Sequence, residues 1–297
     1  MAEPPRFEEL IAAGRGAVEG GELERALGLF DEALEQAHAA GRPDAADRAF
    51  CNRAAVAQEL GQTGDVIPGL RRILTRNPLS ETGYLAAYTL ARAYDLAEDR
   101  QKANFYARIA REHATAIGHQ EWMSHAHNLL GRLALSDSDF ETAGREFTEA
   151  LRLDPSGRPA WRAIIEDNLG YCLVVGGRLR EGLTLLYRSL RGLRRSGARR
   201  YEFHPRLSLS LAQLERGDAR AALRHGRAAL DGAESAGDAE GVKAAYYLLG
   251  EAAKQAGDLA LARAYFGQLQ VRFYPDMVNL ADTLLAVDAR EMVNLKA

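Results

Sequence analysis

The sequence predicts an all-α protein: a right-handed superhelical α-solenoid of about seven helix pairs, closed by a capping helix. Two observations predict it. Small residues recur at Gly14, Ala54, Ala91, Gly131, Gly170, Ser210 and Gly250, at steps of 40, 37, 40, 39, 40 and 40. A fixed period of this length marks stacked repeats. Twelve residues after each small site comes a second one: Ala26, Val66, Ala103, Ala143, Gly182, Ala222 and Ala262, of which only Val66 is larger than serine. Small residues on two amphipathic stretches let their backbones approach closely, so each repeat reads as helix, turn and antiparallel helix. Stacking such pairs buries a continuous core between neighbours.

The residue before the first small site is Leu90, Leu130, Leu169, Leu209 and Leu249 in five repeats. Ala13 and Arg53 take that place in the first two, which depart most from the pattern. The turn between paired helices carries Gly21, Gly61, Gly177, Gly217 and Gly257, with Glu98 and Ser138 in the other two repeats. Glycine supplies the left-handed backbone that ends a helix, and Asp218 and Asp258 stand ready to cap the helix that follows. Repeats are joined at Gly41, Asn77-Pro78, Gly118, Gly157, Gly197 and Gly237. The expected organisation is one solenoid over 1–297, with repeats near 7–40, 43–78, 80–117, 119–155, 158–196, 200–236 and 238–274. A cap over 276–295 sets Met277, Leu280, Leu284 and Val287 toward the last repeat.

The fullest repeat is 128–155, NLLGRLALSDSDFETAGREFTEALRLDP. It has Gly131 and Ala143, a small polar break at 136–140, the apolar stripe of Phe147, Ala150 and Leu151, and a closing Asp154-Pro155 that stops the helix. This stretch resembles a tetratricopeptide repeat, and the resemblance spans residues 7–274. The period near 40 exceeds the roughly 34 residues of the common repeat, and is similar to that of kinesin light chains, Pins/LGN-type adaptors and bacterial peptide-sensing regulators.

Composition narrows the function. A net charge of −3 over 297 residues is too small to attract nucleic acid in bulk. No stretch approaches the roughly 18 apolar residues of a membrane span, and no basic leader precedes an apolar run, so the expected setting is cytoplasmic with no membrane partner. Cys51 and Cys172 lie far apart in helical patterns, which fits reduced thiols. The chain carries no nucleophile elbow, phosphate loop or paired-histidine metal helix, and is read as non-enzymatic, without cofactor or metal. His113, His119, His125 and His127 cluster around Trp122, but His125 and His127 fall on different faces of one helix. Residues 178–206 hold nine arginines against Glu181 and Glu202, a solvated outer face or a dock for an acidic surface.

The resemblance implies a protein–protein interaction scaffold that binds a peptide or protein segment in a concave groove. On each first helix, the stripe opposite the buried one should be polar if it faced only water. It carries Leu85, Tyr88, Leu96, Leu135, Ile164, Tyr171, Val174, Val175, Leu207, Leu211 and Leu214. Arginine grips carboxylates and asparagine serves peptide backbones. The expected peptide-binding set is therefore Tyr88, Arg92, Asn128, Arg132, Asp167, Asn168 and Tyr171, taking a peptide with at least one acidic group across repeats three to five. The alternative is a peptide-responsive regulator of bacterial signalling or transcription acting through a separate output partner, since repeat one begins by Phe7.

Overall fold

A computed structural model describes residues 6–62, 66–154, 158–287 and 294–296. The described residues contain fifteen α-helices, one short 3-10 turn and no strand. They form two compact units, one ending at Leu133 and the other starting at Ala134. The first unit holds α1 (Phe7–Gly20), α2 (Leu23–Ala39), α3 (Pro43–Glu59), α4 (Ile67–Arg76), α5 (Glu81–Leu96), α6 (Arg100–Ala116) and most of α7 (Gln120–Ser136). The second holds the end of α7, then α8 (Phe140–Leu153), α9 (Pro159–Val175), α10 (Leu179–Arg195), α11 (Phe203–Glu215), α12 (Ala219–Ala236), α13 (Ala239–Gln255), α14 (Leu259–Phe273) and α15 (Leu280–Ala286).

Helix pairing follows the small-residue sites. Ala26, Ala103, Ala143, Ala222 and Ala262 are completely buried at the fourth position of their helices. Gly170 on α9 and Gly182 on α10 show why. A Cβ on Gly182 would meet the Gly170 carbonyl oxygen at 2.8 Å, and one on Gly170 would meet Leu186 Cδ2 at 2.8 Å. The two backbones cross where only glycine fits.

The turns are left-handed in all seven pairs. Glycines at 21, 61, 177, 217 and 257 have φ between 69° and 83°. Glu98 (φ 58°) and Ser138 (φ 57°) adopt the same conformation without the freedom of glycine. Each is followed by an aspartate that caps the next helix: Asp99 accepts from Lys102 N at 3.1 Å and Asp139 from Thr142 N at 3.0 Å. Asp218 and Asp258 do the same for α12 and α14.

Repeat two departs from the ruler. Pro68 tolerates only the first turn of a helix, so α4 begins at Ile67 and runs ten residues. Val66, the one large residue at a small site, is thereby left at the helix N-cap.

In the second unit α11 lies between α9 and α13 and touches both, so the first helices form one layer. A core of Phe147, Leu186, Leu209, Leu248 and Phe266 runs behind them. The last helix spans only 280–286, where the sequence reading sets a cap over 276–295. Residues 274–279 turn instead, and Gln270 closes the start of α15 by accepting from Ala281 N (3.0 Å) and donating to the Val278 carbonyl (3.0 Å). Leu284 is buried, whereas Met277 and Val287 are exposed. Residues 288–293 of the expected cap lie outside the described residues, as do Pro155 and Gly157.

The crossing yields a stability prediction. Gly182→Ala should lower stability by ~1–3 kcal/mol through overpacking against a backbone carbonyl. Gly267→Ala, in α14 with nothing within 4 Å of its added methyl, should be neutral or raise stability by up to ~1 kcal/mol through helix propensity. Denaturant unfolding of the two full-length variants checks this, and equal midpoints would misplace the crossing.

Candidate peptide-binding site

Four of the seven candidate residues belong to the first unit. Tyr88 on α5 is half-buried, its ring 5.7 Å from Tyr84 and 6.5 Å from His125. Tyr84 in turn stacks on Trp122 at 4.5 Å. Asn128 on α7 is buried. Arg92 donates to Glu59 Oε1 at 3.3 Å, and Arg132 lies 3.7 Å from Asp95 Oδ2. Both arginines chosen to grip a partner's acid thus already face carboxylates of their own unit.

The histidines near Trp122 are divided among separate roles. His119 stacks on the indole at 4.1 Å. His113 sits against Gly83, where a Cβ would come within 2.6 Å of the imidazole. Burial, with a smaller effect of His119, pushes His125 down to about 4. Among the described residues no group of three or more His, Cys, Asp or Glu is arranged to hold a metal ion.

The other three candidates, Asp167, Asn168 and Tyr171, sit on α9 in the second unit, all buried. They meet residues 294–296, at the end of the expected cap over 276–295 and just beyond it. Lys296 Nζ donates to Asp167 Oδ2 at 2.7 Å and to Asn168 Oδ1 at 3.0 Å. The same ammonium lies 5.4 Å from the centre of the Tyr171 ring, within cation–π range. Tyr171 OH donates to Asn294 Oδ1 (3.1 Å) and accepts from Leu295 N (3.0 Å). Asn294 Nδ2 donates to the Leu135 carbonyl at 2.6 Å, and Leu295 packs on the core. Burial pushes the Tyr171 hydroxyl up to about 12, so it stays protonated and can donate. Asp167 Oδ1 is buried and has no hydrogen-bond partner among the described residues.

Two further carboxylates of this layer are also answered. Glu166, buried on α9, takes Arg188 at 2.6 Å and Arg162 at 3.3 Å. Glu251 on α13 takes Lys254 at 2.9 Å, and Lys254 also donates to the Leu284 and Val287 carbonyls, which ties down α15.

The apolar stripe divides. Leu135, Tyr171, Val174, Leu207, Leu211 and Leu214 are buried; α9, α11 and α13 pack side by side, and Val174 lies against Gly182 of α10. Leu96 and Val175 remain exposed. On the other side of this unit, α8, α9 and α10 enclose a cleft of about 970 Å³ floored by Leu169, Cys172 and Leu173. The arginine-rich stretch is partly neutralised: Arg178 grips Glu181 with two bonds of 2.8 and 2.7 Å, and Arg194 and Arg206 share Glu202. Both cysteines are free and buried, and burial pushes the Cys172 thiol up to about 12.

Comparison with solved structures agrees with this architecture. A Rap protein complexed with competence and sporulation factor superposes with a TM-score of 0.71 at 12% identity, covering 96% of this chain and 79% of that one. PilW, a type IV pilus biogenesis factor, gives 0.61 at 19% identity, over 80% of this chain and 98% of PilW. A tetratricopeptide repeat protein from Parabacteroides merdae gives 0.54 at 14% identity, over 97% and 99%. The fold is that of the tetratricopeptide-repeat proteins. No protein-family model and no curated protein matches the chain. Among the described residues no helix is long and apolar enough to cross a membrane.

What the sequence reading missed at this site is Lys296. It is one of four lysines among 38 basic residues, but no local pattern links it to a carboxylate 129 positions earlier.

His225 on α12 supplies a pH prediction. Its Nε2 lies 3.4 Å from Tyr187 OH. Burial, then the charges of Arg206, Arg224 and Arg194, hold it down to about 4 against an ordinary 6.5. Above pH 6.5 both folded and unfolded states are neutral. Below it the unfolded chain takes up a proton that the folded chain refuses until about pH 4, so stability falls as pH drops through that window. His225→Gln should flatten this loss in denaturant midpoints measured from pH 7 to 4, and an unchanged slope would rule out the assignment.

Proposed function

We propose that the chain is a non-enzymatic protein-interaction module that binds a peptide or protein segment on the first-helix face of its second unit. One observation carries the reading. Asp167, Asn168 and Tyr171 already seat a short peptide stretch by backbone and side-chain hydrogen bonds, which a segment of another protein can make equally well. The fold supports it, since stacked helix pairs present extended surfaces whose usual work is binding. The two buried free thiols favour a reduced, cytoplasmic setting. Arg92 and Arg132 belong to the first unit and are already answered by Glu59 and Asp95, so they are not part of the site proposed on the second.

The likeness to a Rap protein solved with competence and sporulation factor favours a second reading. In it, the module is a peptide-responsive regulator of bacterial signalling, with its output delivered by a separate chain.

Capture of partners from the native source by crosslinking and mass spectrometry tests the first reading. Asp167→Asn keeps the size of the side chain and removes its charge, and should reduce capture at least fivefold. Glu149→Gln, which changes charge on α8 away from this face, should leave it unchanged. Equal capture by all three proteins would place binding elsewhere, with the 178–206 stretch next in line.

A further inference from the structure

The contacts of residues 294–296 say what kind of ligand this face selects, an inference that rests on the binding role proposed above. The Lys296 pocket suits a primary ammonium. Two oxygens, Asp167 Oδ2 and Asn168 Oδ1, lie within 3.0 Å of Nζ, and the Tyr171 ring lies 5.4 Å away. Lys296 retains little exposure, with 16% of its side chain accessible, and Asp167 retains 5%. A buried carboxylate of this kind is costly without a cation, so the site demands one. The geometry is specific beyond charge. Asn294 bridges Tyr171 OH and the Leu135 carbonyl, Leu295 offers its backbone N–H to Tyr171 and its side chain to the core, and Lys296 follows. Tyr171 touches all three residues, and each also has a contact of its own: the Leu135 carbonyl for Asn294, the core for Leu295, and Asp167 with Asn168 for Lys296.

We propose that this segment is a resident pseudo-ligand, and that the partner is a peptide presenting the same Asn-apolar-Lys pattern, which binds by displacing it. The segment is tethered to α15, and α15 is pinned by Lys254. A tethered ligand competes at an effective concentration on the order of millimolar. The occupied site therefore holds back weak or non-specific peptides. Displacement is made possible by an acceptor the resident segment leaves unused: Asp167 Oδ1 is buried without a hydrogen-bond partner among the described residues. A partner that adds one donor there gains what the resident segment lacks.

The probe is a fluorescein-labelled peptide with the sequence of residues 291–297, EMVNLKA, titrated by anisotropy into full-length protein. Lys296→Ala loosens the resident segment and should bind the probe at least tenfold tighter than the unchanged chain. Replacing the probe's lysine with norleucine should cost at least tenfold on the Lys296→Ala chain. Adding Asp167→Asn to that chain should remove the gain. Equal affinity of the Lys296→Ala and unchanged chains, or equal affinity of the lysine and norleucine probes, would overturn the proposal. Partner capture separates the two levels. If Asp167→Asn still reduces capture at least fivefold while the probe fails these comparisons, the face binds a partner but the ligand pattern is wrong. If capture is also indifferent to Asp167, the binding role itself fails.

Discussion

The close crossing of paired helices is the constraint from which the rest of the structure follows. At Gly170 and Gly182 a Cβ on the second would lie 2.8 Å from the carbonyl of the first, so the helices touch backbone to backbone. That contact sets the rotation of each first helix. At 100° per residue, burying Gly170 toward α10 turns Asp167, Tyr171 and Asn168 to one flank, within about 100° of one another. The face that meets residues 294–296 is therefore a consequence of the crossing. A larger residue at either glycine would rotate or separate the helices and disperse the three side chains.

Charge burial is the second organising rule, and in the second unit it works across elements. Asp167, Glu166 and Glu251 are each almost fully buried on first helices, and each is met by a cation: Lys296 and Arg188 reach Asp167 and Glu166 from other elements, while Arg162 and Lys254 answer Glu166 and Glu251 from the same helix. An unpaired buried carboxylate is costly enough to unfold its surroundings or to pick up a proton. Two of these cations bring a further segment against the layer: Lys296 holds residues 294–296 and Lys254 holds α15.

The repeat ruler made the fold legible because helix crossing and helix ending each leave one residue type at one place. Small residues mark the crossing, and glycine marks the left-handed turn. Glu98 and Ser138 break the second rule, yet alignment of the repeats still located them, and both are left-handed. Pro68 was equally readable and shortens α4, but the repeat period masked it. The α9 face was legible as positions, since periodicity alone places Asp167 and Tyr171 on one flank. Their counter-charges were not equally accessible. Glu59 stands 33 residues before Arg92 and Asp95 stands 37 before Arg132, close to one repeat, so the period itself was the signal for those pairs. Lys296 lies more than three repeats beyond Asp167 and outside the repeat pattern, and there the period has nothing to say.

Under the binding role proposed above, a face whose charges are already paired binds in a particular way. If a partner's ammonium replaces that of Lys296, one ion pair is exchanged for another, and the number of screened charges hardly changes. Affinity at such a face depends weakly on salt, in contrast to a surface that attracts a partner through unpaired charge. Selectivity then comes from what exchange leaves unequal: the donor offered to Asp167 Oδ1, the fit of the apolar side chain against the core, and the reach to the Leu135 carbonyl. These are short-range, directional contacts. On this reading the second unit discriminates by stereochemistry at α9, and the tethered segment sets the threshold that a ligand has to exceed.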